Sequence, residues 1–549
     1  MLDLTPEDIG VDIAQFPTLR KEQLEAWEFV MSNDTRVSAL AMPPGAGKSL
    51  MAWGLANLMG LRSVFVTATK GLQEQYKRDF GRYGMVDIRG RKNYQCQDFD
   101  HLDCQGGASL GCRYLKGNGC TYDSAKFKAR NHSPIVTNYD YWMAVNDKAS
   151  GLERTNKEAE ECGDNPIELV VFDEAHNKVA EYVSCRLYES QLKRFAVYPK
   201  SEVLAEWVQF ATDVVDVLAA EIVVMNAALI KLGPKANAGQ LDTLHGIQRL
   251  HSTLMRLKYA QGDDWVVEKE EGGRFGRLWK FDVIWPGRYA EQYLMCSIPK
   301  VVFMSATLKQ KHLYLNGVKK ENFKHKAWPR IFPAKRHPIY LCTAKKSNGG
   351  SVQVDRKTTD DDMARLIRFV DHEILKPRQD RKGIIQTVSY NLQKWVLDQS
   401  EYAKYMIGNT GEPDSETAHE AAEKYRASDP PCILVGPSFS TGWDFPGPDC
   451  EFIIILKVPF MVSQSKVVKA RMAKDPQYGD FVPMQTMEQS SGRGMRFMMD
   501  QCEVIIVDGH AEWFLYKARS MAQDWFVPSI RRVSQVPAPP PRLWSPVKK

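Results

Sequence analysis

Residues 42–49 read Met42-Pro43-Pro44-Gly45-Ala46-Gly47-Lys48-Ser49. Glycines at 45 and 47 let backbone N–H groups turn toward phosphate oxygens, Lys48 reaches the β and γ phosphates, and the Ser49 hydroxyl is a ligand for Mg²⁺. Farther along stands Asp173-Glu174-Ala175-His176 at the end of an apolar run. Asp173 can hold the Mg²⁺ shell and Glu174 can polarise an attacking water. Together the two segments supply both halves of an ATP-hydrolysing site. A third group is Cys96, Cys104, Cys112 and Cys120, with seven residues between neighbours and Gly106, Gly107, Gly111, Gly117 and Gly119 among them. Four thiolates suit either a [4Fe-4S] cluster or a tetrahedral zinc ion, and the tight C-x₂₋₄-C turns usual for structural zinc are absent.

These groups need a frame that brings strand ends together. Ser38–Met42, Ser63–Thr67 and Leu169–Phe172 read as buried strands, with a helical pattern over Ser49–Met59, which is βαβ order and predicts a parallel sheet. An acidic residue at the C-terminal end of such a strand lies beside the phosphate loop. From about Cys185 to Glu271 the pattern becomes helical. One helix runs within Ser201–Leu232 and stops at Gly233-Pro234, and a second carries Leu241, Leu244, Ile247, Leu250, Leu254 and Leu257. This predicts an all-helical insertion in an α/β frame. Strands resume at Val301–Met304, and a second α/β unit is expected on strands near Gly383–Thr387, Ile433–Gly436, Phe452–Leu456 and Val504–Val507. The proline-rich tail from Val536 is expected to be extended or disordered, without a packed element.

Composition bounds the class. The chain has 549 residues, 44% hydrophobic and 26% charged, with no apolar run near the ~18 residues of a membrane span. Net charge is +6, and Arg62–His132 holds thirteen Lys/Arg against seven Asp/Glu, an excess suited to a polyanion. Tyr83, Tyr94, Tyr114 and Tyr122 are scattered through that basic stretch, as base-stacking rings would be. The acidic start Met1–Asp8 is unlike a signal peptide, so a cytoplasmic location is expected and disulfides are not. Cysteines outside the cluster read as plain thiols.

On these residues the chain resembles the superfamily 2 helicases, among which a phosphate loop lacking the first glycine is common. Met304-Ser305-Ala306-Thr307-Leu308 looks like their coupling motif. Phe439-Ser440-Thr441-Gly442-Trp443-Asp444-Phe445-Pro446-Gly447, followed by Pro459-Phe460, resembles the second motor domain of the XPD/DinG iron-sulfur branch. Gln489-Ser490-Ser491-Gly492-Arg493-Gly494-Met495-Arg496 resembles its last motif, in which two arginines one helical turn apart face the γ phosphate. Such guanidinium groups stabilise charge that develops in phosphoryl transfer.

The resemblance implies an α/β fold of two RecA-like parallel-sheet motor domains, the first interrupted by an iron-sulfur cluster domain and a helical arch-like insertion. The expected division is 1–93, 134–185 and 285–328 for motor domain 1, 94–133 for the cluster domain, 186–284 for the arch, 329–535 for motor domain 2 and 536–549 for the tail. It implies catalysis by Lys48, Glu174, Gln489, Arg493 and Arg496. Nucleotide binding falls to Arg20 and Gln23 as an adenine pair and to Gly45, Gly47, Lys48, Ser49, Asp173, Gly442 and Asp444. Thr69, Gln73, Asn138, Tyr139, Ser389 and Thr441 fall at nucleic-acid motif positions, and His176 at a coupling position near Ser305 or Gln489. The cofactors implied are ATP, Mg²⁺ and a [4Fe-4S] cluster on Cys96, Cys104, Cys112 and Cys120. The activity implied is 5′ to 3′ translocation on single-stranded DNA and separation of forked duplexes. An RNA-directed remodelling ATPase and an ATP-regulated DNA clamp are the alternatives. The cysteine cluster disfavours the first, and the presence of Lys48, Glu174 and Arg496 disfavours the second.

Overall fold

The computed structural model describes residues 3–115, 119–147, 166–174, 178–260, 262–271, 275–411, 417–440, 443, 445–462, 464–496 and 499–542. Two compact units divide the chain. The first is Met1–Ala41, Lys48–Lys326 and Gln464–Lys474; the second is Met42–Gly47, Ala327–Ser463 and Asp475–Lys549.

In the first unit, helix α1 (Lys21–Met31) leads into β1 (Val37–Ala41), α2 (Lys48–Met59), β2 (Ser63–Thr67), α3 (Lys70–Phe80) and β3 (Val86–Asp87). Then come α4 (Cys104–Ser109), α5 (Thr121–Asn131), β4 (Ile135–Asn138), α6 (Tyr139–Asp147) and β5 (Leu169–Asp173). After an insertion containing β6 (Cys185–Tyr188), β7 (Trp265–Glu271) and β8 (Arg277–Val283), the chain returns as β9 (Lys300–Ser305) and β10 (Phe323–Ala327). The main sheet has the order β10-β1-β9-β5-β2-β4-β3, and β1, β9, β5, β2, β4 and β3 pair in parallel. Every residue of β1, β2, β4 and β5 is buried, as continuous Val/Ile/Phe runs covered on both faces require.

The insertion is not all-helical. Its helices Leu204–Leu232 and Ala238–Lys258 are joined through Gly233–Lys235, but they pack on a three-stranded antiparallel sheet of order β6-β8-β7. Trp279, Phe281 and Val283 of β8 point inward, alternating with half-buried Lys280, and Trp207 lies 5.3 and 5.2 Å from the Trp279 and Phe281 rings. This period-two pattern is short and sits between charged residues, so the longer helical periodicity masks it.

The second unit carries β11 (Ile339–Leu341), β12 (Lys382–Gln386), β13 (Met406–Ile407), β14 (Cys432–Val435), β15 (Phe452–Ile455), β16 (Glu503–Ile506) and β17 (Ile530–Arg532). They form a parallel sheet of order β13-β14-β12-β15-β16-β11-β17. The start of the proline-rich tail is extended and anchored. Arg378 donates to the Pro537 carbonyl at 3.0 Å, Arg381 to that of Pro540 at 2.5 Å, and Arg542 pairs with Glu451 at 2.8 Å. Prolines lack an N–H but keep their carbonyls, so a strap of this kind is fixed by donors from the side it crosses. Among the described residues no helix is long and apolar enough to cross a membrane.

Candidate active site

The phosphate loop joins the C-terminal end of β1 to α2, and Gly45 and Gly47 adopt φ of 74° and 73°. Both values lie in the left-handed region that favours glycine, which is why these two positions bend the loop. Lys48 and Ser49 open α2, where unpaired N–H groups and the helix dipole favour an anion. Arg20 caps α1, and its backbone N–H donates to the Gln23 side chain at 2.8 Å. The Arg20 guanidinium is half-buried, its Nη1 has no hydrogen-bond partner among the described residues, and burial lowers its pKa.

Asp173 ends β5, beside β9. Glu174 follows with φ of 57°, a left-handed conformation that costs a non-glycine residue on the order of 1 kcal/mol or more. Two contacts hold it there. Its N–H donates to the Met304 carbonyl at 3.0 Å, and its carboxylate accepts from the Ser305 hydroxyl at 2.7 Å. Ser305 Oγ in turn accepts from the Thr307 N–H at 3.2 Å. The coupling motif therefore grips the carboxylate that sequence reasoning assigned to water activation, a contact that reasoning did not foresee. The adjacency of β5 and β9 produces it. His176 lies outside the described residues.

The positions assigned to nucleic acid divide into exposed and buried. Thr69 caps α3, accepting from Leu72 N–H at 3.2 Å, and Ser389 caps the helix Tyr390–Gln399 in the same way, also at 3.2 Å. Both caps follow strands of their sheets and are at least partly exposed. Gln73, by contrast, is fully buried, donating to the Ile88 and Val136 carbonyls at 2.9 and 3.4 Å and accepting from Asn138 at 3.1 Å. Tyr139 is also buried and donates to the Asp173 carbonyl at 3.2 Å. Gln73, Asn138 and Tyr139 therefore join α3, β4 and α6 to β5 from within. Thr441, Gly442 and Asp444 lie outside the described residues.

In the second unit the helix Tyr478–Ser491 carries Gln489 in its last turn and is capped by Gly492. Arg493 and Arg496 lie beyond it in a turn, so the expected helical spacing between them is not present. Close packing requires a glycine at 494: a Cβ there would fall 2.4 Å from Cys502 Sγ and 2.8 Å from the Cys450 carbonyl oxygen. Arg493 donates to the Ser440 and Trp443 carbonyls at 3.2 and 2.7 Å. The Arg496 N–H donates to Asp500 at 2.6 Å.

All four clustered cysteines are buried in one small subdomain. Cys104 and Cys120 sulfurs stand 3.8 Å apart, and Cys112 lies beside Cys96. The two pairs are joined by Cys96 N–H to Leu102 O at 2.9 Å and Cys104 N–H to Tyr94 O at 2.7 Å. Gly107 is required because a Cβ would fall 2.2 Å from Cys96 Sγ. Arg91 and the Asp123 N–H each donate to a cysteine sulfur at 3.5 Å, to Cys104 and Cys120. Buried soft donors with N–H groups aimed at sulfur fit a thiolate-ligated centre in their chemistry. Burial, followed by neighbouring Cys120, pushes the Cys104 thiol up to about 12, so a metal centre would have to displace that proton. Among the described residues no three potential ligands are grouped to hold a single ion.

The subdomain is also not a lone glycine-rich loop. Asp103 caps α4 at 2.8 Å, and Cys96, Cys112, Leu110 and Phe99 pack with Leu229, Leu241 and Leu244 of the insertion's helices. Tyr122 is buried, Tyr94 meets it edge-on at 5.6 Å, and Arg91 covers the Tyr122 ring at 4.3 Å, so these two rings pack internally and are not free to stack on bases.

Residues 16–202 match the family described as type III restriction enzyme, res subunit, and residues 378–525 match the helicase C-terminal domain. A solved XPD helicase aligns over 94% of this chain and 100% of its own, with 14% identity and a TM-score of 0.61. The fold is therefore XPD-like. An apo XPD structure aligns over the same shares with 14% identity and a TM-score of 0.59, and Xpd4 of S. tokodaii does so with 13% and 0.55. No curated protein sequence matches this chain. The helicase C-terminal domain matched at 378–525 supports an ATP-driven helicase, a class that implies ATP and Mg²⁺.

Proposed function

We propose that this helicase translocates 5′ to 3′ on single-stranded DNA and separates forked duplexes, hydrolysing ATP at Lys48, Ser49, Asp173 and Glu174. The observation that carries the reading is the strained Glu174, held by Ser305 at 2.7 Å beside Asp173 at the strand end. A carboxylate fixed in a sparsely populated conformation next to a metal-type aspartate is suited to orienting a water at the γ phosphate. Arg20 and Gln23 supply polar atoms for the adenine, and Arg496 supplies positive charge for the phosphoryl group. Gln489, Gly442 and Asp444 belong to the same nucleotide set.

Thr69 and Ser389 are the exposed contacts to the strand, as hydroxyl-capped helix N-termini that accept phosphates, with Thr441 next in motif order. Gln73, Asn138 and Tyr139 act behind that face as positioning residues. Cys96, Cys104, Cys112 and Cys120 would hold a [4Fe-4S] cluster, whose chemistry there is structural support of the subdomain.

Strand separation on forked duplexes with 5′ or 3′ tails, in DNA and in RNA, tests the reading. Unwinding that requires a 5′ DNA tail and weakens as salt rises is expected, because Lys and Arg release condensed counterions. Exclusive use of 3′ tails overturns the polarity, and equal use of RNA tails overturns the substrate.

A further inference from the structure

Helix α3 carries more than its exposed cap. One turn beyond Thr69 and Gln73 stands Tyr76, fully buried against Phe65 of β2 at 5.8 Å and Phe80 at 6.1 Å. Its hydroxyl completes no hydrogen bond among the described residues. The groups beside it are the Ser49 hydroxyl at the start of α2 and the Asp173 carboxylate at the end of β5. An apolar ring would fill the same space without leaving a buried donor, so the hydroxyl's use lies with these two neighbours.

A second phenol also meets Asp173. Tyr139, first residue of α6, donates to the Asp173 carbonyl and stacks on Phe172 at 5.9 Å. The helices that bear the two tyrosines follow β2 and β4, and β2 is the neighbour of β5. Gln73 and Asn138, bonded at 3.1 Å, lock those helices to each other.

We infer that the Tyr76 hydroxyl is a positioning residue of the Mg²⁺ site, donating to the Asp173 carboxylate when the magnesium nucleotide binds and thereby linking that carboxylate to the placement of α3. Second-shell donors of this kind orient ligating carboxylates and raise metal affinity. A displacement of α3 on engaging a strand at Thr69 reaches Asp173 through Tyr76 directly. It also reaches Asp173 through Gln73, Asn138 and the following Tyr139. The inference rests on the assignment of Ser49 and Asp173 to Mg²⁺.

The test is binding of a fluorescent ATP analogue by the full chain, titrated with Mg²⁺, for the wild type, Tyr76→Phe and Asp173→Asn. Tyr76→Phe keeps the ring and its packing. It is expected to raise the Mg²⁺ concentration for half-maximal binding by about ten- to hundredfold, the effect of losing a hydrogen-bond partner behind a ligating carboxylate. Metal-free nucleotide affinity, affinity for a single-stranded oligonucleotide and the melting temperature should stay at wild-type values. Asp173→Asn should raise the midpoint further. A wild-type midpoint in Tyr76→Phe with a raised one in Asp173→Asn overturns the positioning role, as does loss of metal-free nucleotide binding or of thermal stability in Tyr76→Phe. Wild-type midpoints in both variants overturn the metal assignment of Asp173 itself.

Discussion

Glu174 and the residues that hold it separate binding from chemistry. Glu174→Gln keeps the fold and the contact to Ser305 but removes the negative charge that polarises water. Turnover should fall by ~10²- to 10⁴-fold while affinity for a nucleotide analogue stays within twofold or so. Single-turnover ATPase and equilibrium binding on the same protein check this, and an equal loss of affinity would count against the role. Lys48→Ala should weaken nucleotide binding itself. The arginines diverge in a way their spacing conceals. Arg493 braces the Ser440 and Trp443 carbonyls, so Arg493→Ala should lower both the melting temperature and ATPase. Arg496→Ala should lower strand-stimulated ATPase by at least ~10²-fold with little change in melting temperature or strand affinity, since its guanidinium acts on charge that develops during hydrolysis. Unchanged ATPase in Arg496→Ala would remove it from the site.

Elements decide what those residues can do. The cysteine subdomain packs through Cys96 and Cys112 on leucines of the insertion, so loss of the proposed cluster should be felt across that contact. Anaerobically prepared wild-type protein is expected to hold about four iron atoms per chain, as a Cys₄-ligated [4Fe-4S] cluster does. Cys104→Ser is expected to lose that iron and strand separation while retaining basal ATPase, read by metal analysis beside the two assays. Stoichiometric zinc without iron from iron-replete cells would replace the cluster with a zinc site.

The helix bearing Gln489 depends on a buried imidazole. His337 Nε2–H donates to the Ser491 carbonyl at 2.7 Å, and burial followed by nearby Arg330 lowers its pKa to about 3. The unfolded chain, with an ordinary value near 6.5, binds the proton more readily, so this group's contribution is present above pH ~6.5 and is lost as pH falls toward 3. Thermal melts between pH 7 and 5 should show a decline that is shallower in His337→Gln.

Within the second unit, a buried network fastens the tail beneath the sheet. Arg378 and Glu503 are almost wholly buried and paired through two bonds of 2.7 and 2.9 Å, and Arg378 also holds the Pro537 carbonyl. Removing one partner strands the other charge in a site of low polarity. Glu503→Ala should therefore cost about 3–5 kcal/mol of stability and free the tail to proteolysis. Denaturant unfolding followed by a probe in the second unit checks the first, and limited digestion mapped to residues beyond 533 checks the second. A loss under 1 kcal/mol or so would show that water reaches the site.

The sequence by itself determined the strand-to-helix turn that Gly45 and Gly47 bend ahead of Lys48 and Ser49, because that geometry is local to a few residues. It also determined the parallel strands, whose unbroken Val, Ile and Phe runs admit no exposed face. Only the tertiary structure decided that Ser305 grips Glu174 across 131 residues, since that contact needs β9 to lie beside β5 and strand order is not written in any periodicity. The same holds for the sheet in the insertion, where β6 pairs with a strand about ninety residues on, and for the inward turn of Gln73, Tyr94 and Tyr122. A polar or aromatic residue type is compatible with either face of an element. Which face is buried depends on what packs against it, and in this chain those neighbours arrive from distant segments.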